Sequence, residues 1–222
     1  MSHGQLIGDL KITTSTAKLR RDIATEFVQR LNAVMPARIN TMMANLRKFI
    51  YNYLSAQLKQ EFSDSTLREE LGLSENHATA AADYIALTVS NNMLVATRRF
   101  RRSGSNVRGG VTVNIGKADH TDLLLNPEAY HFSGNVVWGW LEHLLLLGDQ
   151  IVQDYNLLSS ATTGKTFSSS RSGSAIMAKS SRGWRISPQF SGTTNNNIIS
   201  KILTQSDVTN YIRTQLLLVL SF

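Results

Sequence analysis

Apolar residues recur every third or fourth position along the N-terminal part of the chain, a period that predicts helices. Leu19, Ile23, Phe27 and Leu31 fall four apart with Ala24 and Val28 beside them, and Thr14, Ser15 or Thr16 offers the start. Pro36 is expected to interrupt that helix and open another. The next stripe joins Met43, Leu46, Phe49, Ile50, Tyr53, Leu54, Leu58 and Phe62. Ser65 is placed to cap a short helix through Leu67 and Leu71, which Gly72 stops. From Ala78 to Val89 the chain is Ala-rich, and Ala82, Ile85 and Val89 share one face. Residues so small suit close helix packing.

The period then changes. Val111, Val113 and Ile115 alternate with Thr112 and Asn114, as in a half-buried strand, and Met93 to Phe100 is a plausible partner. Between them, Arg101 to Gly110 reads as a basic turn, giving a long hairpin with a cationic tip. Val136 to Leu147 reads as an apolar helix stopped by Gly148, and Asp149 to Leu157 as a strand. Ser159 to Ser174 is dominated by Ser and Thr and cannot offset its ordering entropy alone. A short strand at Ala175 to Ala178 and a Trp184-Arg185-Ile186 segment follow. Thr193 or Thr194 is placed to cap a helix through Ile198, Ile199 and Ile202, and Asp207 the last helix. That helix carries Val208, Tyr211, Ile212, Leu216 and Val219 on its apolar face. Its end, Leu216 to Leu220, is apolar all round and predicts burial on more than one side, by insertion into the core or by docking onto another copy. The elements together predict an α+β fold: a helical N-terminal half packed on a small antiparallel β-sheet, with a long loop and a C-terminal helix. One domain is expected over residues 1–222, with an N-terminal arm at 1–15 and a flexible loop at 159–174.

Composition narrows the function. The 222 residues hold 23 Lys+Arg against 16 Asp+Glu, a balance of +7, and only 18% are charged. There is no cysteine, which removes disulfide scaffolds, Cys-ligated zinc and thiolate catalysis. The most apolar windows, Val136 to Gly148 and Tyr211 to Phe222, fall short of the roughly 20 residues that span a bilayer. Met1 to Ser15 has no signal-peptide core, so no membrane role is expected and the chain reads as soluble and made for use inside a cell.

Catalytic constellations are weak. Gly164-Lys165-Thr166 has Ser159 where a phosphate-binding loop needs glycine. The histidines, at 3, 77, 120, 131 and 143, show no pair at helical ligand spacing. Asp119-His120-Thr121-Asp122 with Glu128 and His131 is the densest polar cluster, yet it implies no ligand geometry. Ser172-Gly173-Ser174 lacks the context of a nucleophile elbow, and the adjacent Glu69 and Glu70 point different ways on a helix. No enzyme activity, metal or cofactor is expected.

Arg98, Arg99, Arg101, Arg102 and Arg108 are more informative, since all lie within eleven residues. Their guanidinium forks fit phosphates, or the acids of a neighbouring subunit. Trp138 and Trp140 sit at i and i+2 of the expected helix, so the two rings cannot share one helical face, and one is either an interface anchor or a partly exposed core residue.

One stretch carries a resemblance. Ser170-Arg171-Ser172-Gly173, Ile176-Met177, Trp184-Arg185-Ile186, Pro188-Gln189-Phe190-Ser191-Gly192-Thr193 and Asn196-Asn197 form a series preceded by Trp140-Leu141-Glu142 and Leu146-Leu147-Gly148-Asp149. It resembles a C-terminal pattern in neck and tail-completion proteins of tailed bacteriophages, loosely over 66–203 and tightly over 137–197. The resemblance implies a non-enzymatic virion protein, assembled in the host cytoplasm, that forms a ring at the head–tail junction. Its partners would be copies of itself, neighbouring neck and tail proteins, and double-stranded DNA in the channel. Candidate contacts to DNA or a partner are Arg98, Arg99, Arg101, Arg102 and Arg108. Candidate subunit-interface residues are Trp138, Trp140, Arg171, Trp184, Phe190, Leu217 and Leu218, and 159–187 is expected to be an arm that neighbouring subunits order. The alternative is a basic nucleic-acid-binding protein acting as a monomer or dimer.

Overall fold

A single helix, α1 (Thr16–Glu61), organises the chain; its 46 residues extend roughly 69 Å at 1.5 Å per residue. The computed structural model describes residues 15–115, 120–133, 136–148, 150, 152–159, 175–194 and 196–221, and the fold is α+β. Ser15 caps α1, its hydroxyl accepting from the Lys18 amide at 3.3 Å. The break expected at Pro36 does not occur, and the proline sits inside the helix. It withholds the N–H that the Asn32 carbonyl would accept, a cost of about 3 kcal/mol in a helix interior. Tertiary packing outweighs that local preference, because Leu31, Met35 and Met42 are buried on both sides of it.

The stripe from Leu46 to Phe62 becomes the centre of the core, with Leu46, Ile50, Leu54, Leu58 and Phe62 buried. The earlier stripe behaves differently. Leu19, Ile23 and Phe27 are 44%, 59% and 40% exposed, and every residue from 15 to 23 faces solvent. Two short connections lead to α2 (Ser65–Leu71) and α3 (Glu75–Asn91). Asp64, rather than Ser65, caps α2 by accepting from the Thr66 amide at 2.8 Å. Gly72 supplies the positive φ of 65° that turns the chain away. α3 then lies against α1 through Ala78, Ala81, Ala82, Ile85, Ala86 and Val89. Asp83 ties the pair together, accepting from Ser55 at 2.6 Å and pairing with Lys59 at 2.7 Å.

On another side of α1 the last helix, α7 (Ser206–Leu220), runs antiparallel to it. Tyr53 donates to Gln205 at 2.6 Å, Phe49 stacks on Tyr211 at 3.9 Å, and Arg38 donates to the Val219 carbonyl at 3.1 Å. These contacts use one face only. The described chain does not supply the second side expected for Leu216–Leu220: Leu217 and Leu218 are 60% and 58% exposed, so the end of α7 is not inserted into this chain's core.

The strands form three separate two-stranded antiparallel ladders: β1 (Leu94–Ser103) with β2 (Asn106–Asn114), β3 (His131–Ser133) with β4 (Val136–Trp138), and β5 (Val152–Ser159) with β6 (Ala175–Trp184). The helix expected from Val136 to Leu147 divides at Gly139 into β4 and a shorter α5 (Trp140–Leu145). That division corrects the reading of the tryptophans. Because Trp138 ends a strand and Trp140 starts a helix, both rings turn inward, 5% and 0% exposed, and neither is an exterior anchor. Trp140 lies edge-on to Phe62 and donates its indole N–H to the Glu128 carbonyl at 2.8 Å.

The chain closes over this core through α4 (Thr121–Leu124), a 3₁₀ turn at Pro127–Ala129, and α6 (Ile198–Leu203). Asn197, rather than Thr193 or Thr194, caps α6. It is completely buried. Its Oδ1 accepts from the Ser200 amide at 3.0 Å, and its Nδ2 reaches the Thr193 carbonyl at 3.0 Å and the His120 ring at 3.1 Å. Gly192 must be glycine here, since a Cβ would stand 2.6 Å from the Asn197 Cα. Glu70 accepts from both the amide and the hydroxyl of Ser187, fixing the turn at Pro188. The resembling stretch from 185 to 197 thus forms a structural clasp.

Candidate functional site

The β1–β2 hairpin is built differently from a loop with a basic tip. The ladder continues through Arg101 to Gly110, and the turn is only Gly104-Ser105, with Gly104 at φ 66°. Glycine at the first central position suits a two-residue hairpin turn of type II′. One face carries Val95, Phe100, Val107, Val111 and Val113 and packs on the core.

The register shifts between Arg98, opposite Gly110, and Arg101, opposite Arg108. Arg99 and Phe100 on β1 therefore face Gly109 alone on β2, which is a β-bulge. Two residues make the bulge possible, one within the ladder and one on α1. Gly109 leaves room for Phe100, because a Cβ there would stand 2.5 Å from the Phe100 ring and 2.8 Å from its Cα. Asn32 of α1 holds the bulged residue from the side: its amide donates to the Phe100 carbonyl at 3.0 Å, and its carbonyl accepts from the Phe100 amide at 3.2 Å.

The bulge sets where the arginines point. Arg98 and Arg101 are three apart in sequence and would take opposite faces of a regular strand. The extra residue restores them to one face, and Arg108, directly across from Arg101, joins them. Gly110, across from Arg98, leaves open space on that face. Arg98, Arg99, Arg101, Arg102 and Arg108 line a recess of about 330 Å³ with Ser103. All five are exposed, and none makes an ion pair among the described residues. On the other side of β1, Met35, Pro36, Ile39, Val95 and the Arg98–Phe100 segment line a groove of about 520 Å³ against α1.

The other expected site residues are scattered. Phe190 is half-buried against the core, while Leu217 and Leu218 stand on the outer face of α7. Arg171, Gly164-Lys165-Thr166, Ser172-Gly173-Ser174, Asp119 and residues 160–174 lie outside the described residues, as do the side chains of Trp184, Glu69 and His131. The remaining members of the polar cluster have separate partners. Asp122 accepts from Asn92 at 2.9 Å, Glu128 meets His77 at 3.1 Å, and His120 contacts Asn197. Among the described residues no three His, Asp or Glu groups converge on one point.

The fold shifts the titration of Asp83 and His143, among other groups. Burial pushes the Asp83 carboxyl up, but hydrogen bonds from Lys59 and Ser55 and the Lys59 charge outweigh it and hold the carboxyl below its ordinary range. His143 moves down because it is half-buried, against Trp138, and the Glu142 charge opposes this only in part.

Sequence reasoning missed Asn32, Gly109 and Gly110. A Gly-Gly pair beside alternating Val111 and Val113 was itself a bulge signal, since strand glycines often mark a close backbone approach. Among the described residues no helix is long and apolar enough to cross a membrane. Comparison of the chain with protein-family models, with curated proteins and with solved structures gives no match.

Proposed function

We propose that the chain is a structural subunit that assembles with copies of itself into a ring, and that the ring is a neck or tail-completion layer of a tailed bacteriophage. The observation that carries the assembly is the presence of two separate apolar faces exposed in one chain. Leu19, Ile23 and Phe27 project from the start of α1, and Leu217, Leu218 and Leu220 from the end of α7. The second face lies beside Arg38, fifteen residues along α1 from Ile23, or roughly 22 Å at the helical rise. Exposed apolar patches of this kind mark protein contacts. Two different patches on one subunit suit head-to-tail contacts, which close into rings when the rotation allows. The junction itself is drawn from the resemblance over 137–197. The arm expected over 159–187 is not kept in this reading: Ala175–Trp184 pairs with β5 of the same chain, and Ser187 is held by Glu70.

Native mass measurement of the full chain tests this, with a ring expected at about six or twelve copies. Ile23→Glu and Leu218→Glu, each at an exposed site, should each dissolve the ring while leaving the subunit folded. A monomer at every concentration, with or without the neighbouring neck and tail proteins, overturns the assignment. A monomer or dimer that binds nucleic acid, the alternative, is separated by the same measurement.

A further inference from the structure

We infer that the outer face of the β1–β2 hairpin is a phosphate-contacting surface for the backbone of double-stranded DNA, with Arg98, Arg101 and Arg108 as its centre. This holds whether the chain is a ring or a monomer, because it depends on one hairpin and not on the apolar faces.

The charge distribution is the first ground. Residues 94–114 contain five arginines and no acid, and the five make no ion pair among the described residues. Arg101 and Arg108 are direct cross-strand neighbours. Like charges placed opposite one another destabilise a ladder. The hairpin bears that cost in isolation, and a polyanion would remove it.

Geometry supplies the second ground. Without the bulge, Arg98 and Arg101 would fall on opposite faces; with it, three guanidinium groups share one side of a narrow ribbon. The bulge is held by two features far apart in sequence, the Asn32 carboxamide and the bare Gly109. Bulges commonly serve to re-aim side chains. Guanidinium groups bind phosphate oxygens through two parallel bonds, and the recess of about 330 Å³ that they line is open to such a group.

The form of the nucleic acid follows from what the ribbon lacks. Single-strand binders stack bases on exposed aromatic rings. The only aromatic residue of the hairpin, Phe100, packs on the core instead. B-form DNA has a major groove wide enough for a two-stranded ribbon, whereas that of an RNA duplex is deep and narrow. Arginine contacts to the phosphates of such a duplex position it without reading its sequence.

Fluorescence anisotropy of the full chain with a labelled DNA duplex, across a salt series, tests the proposal. Counterion release gives a slope of log affinity against log salt of about −0.9 per phosphate neutralised. Three arginines predict a slope near −2.7, and all five near −4.5. The Arg101→Ala/Arg108→Ala pair should reduce the slope by about 1.8, with circular dichroism confirming the fold. The Lys201→Ala/Arg213→Ala pair removes the same charge from exposed sites on α6 and α7 and should leave the slope unchanged. Equal losses from the two pairs would show diffuse attraction and overturn the assignment. So would an unchanged slope for the hairpin pair, tighter binding to a single strand or RNA duplex, or capture of polyglutamate without binding to DNA.

Discussion

Gly109 and Gly110 are adjacent, and the same substitution at each should act in opposite directions. Alanine at 109 places a Cβ 2.5 Å and 2.7 Å from the Phe100 ring and 2.8 Å from its Cα. The ring could turn away, but the Cα belongs to backbone that Asn32 holds through two hydrogen bonds. Overpacking costs about 1–3 kcal/mol, and each strained or lost hydrogen bond adds roughly 1 kcal/mol. The expected destabilisation is therefore about 2–4 kcal/mol, limited above by the free energy of undocking the hairpin from α1. Alanine at 110 meets nothing within 4 Å. It replaces a strand glycine with a residue that loses less chain entropy, so a gain of about 0–1 kcal/mol is expected. Thermal unfolding reads the difference, at about 2–4 °C per kcal/mol for a chain of this size. Amide exchange at Phe100 localises it, since only Gly109→Ala should expose that amide. Equal midpoints for the two variants, or a Gly110→Ala variant as unstable as Gly109→Ala, would refute the bulge as described.

Two further perturbations address the clasp and the charges. Asn197→Ala removes the α6 cap, worth about 1 kcal/mol, and breaks the buried Nδ2 contacts to the Thr193 carbonyl and the His120 ring, each worth about 1 kcal/mol; urea unfolding should show a loss of about 2–3 kcal/mol, against almost none for Asn196→Ala at its exposed neighbour. The midpoint of thermal unfolding should also fall in two stages on acidification. His143 binds its proton more weakly when folded, so its stabilisation is complete above the ordinary histidine range and declines below it as the unfolded chain takes up the proton. Asp83 is held below its ordinary value, so its contribution persists to lower pH and is lost as the pH falls through the folded value. His143→Gln should remove the first stage and Lys59→Met weaken the second.

Periodicity in the sequence states which residues share a face, but not what lies opposite. Met43–Phe62 and Leu19–Phe27 have the same spacing; the first became core because α3 and Trp140 close over it, while nothing in the described chain closes over Leu19 or Ile23. The apolar run at 136–147 fits either a strand or a short helix, and only the break at Gly139 shows that it is both. The arginine cluster was plain from composition, yet its direction was not. The bulge that aims it depends on a hydrogen bond between residues 68 apart, Asn32 and Phe100, which no local pattern encodes. Pro36 misled for the same reason, since its local cost is set against packing contributed by the rest of the chain.

That proline also makes α1 a lever. From Pro36 back to Thr16 the helix extends about 30 Å, and the bond missing at the Asn32 carbonyl marks the place where bending costs least. A rotation of about 10° there would sweep the start of the helix through roughly 5 Å while the core residues beyond Met42 stay in place. Because Leu31 is buried and Asn32 is bonded to Phe100, such a bend would carry the β1–β2 hairpin with it, so the helix start and the arginine face would move together. In the proposed ring, this coupling would let the arginine face adjust as neighbouring subunits draw the helix start to different angles.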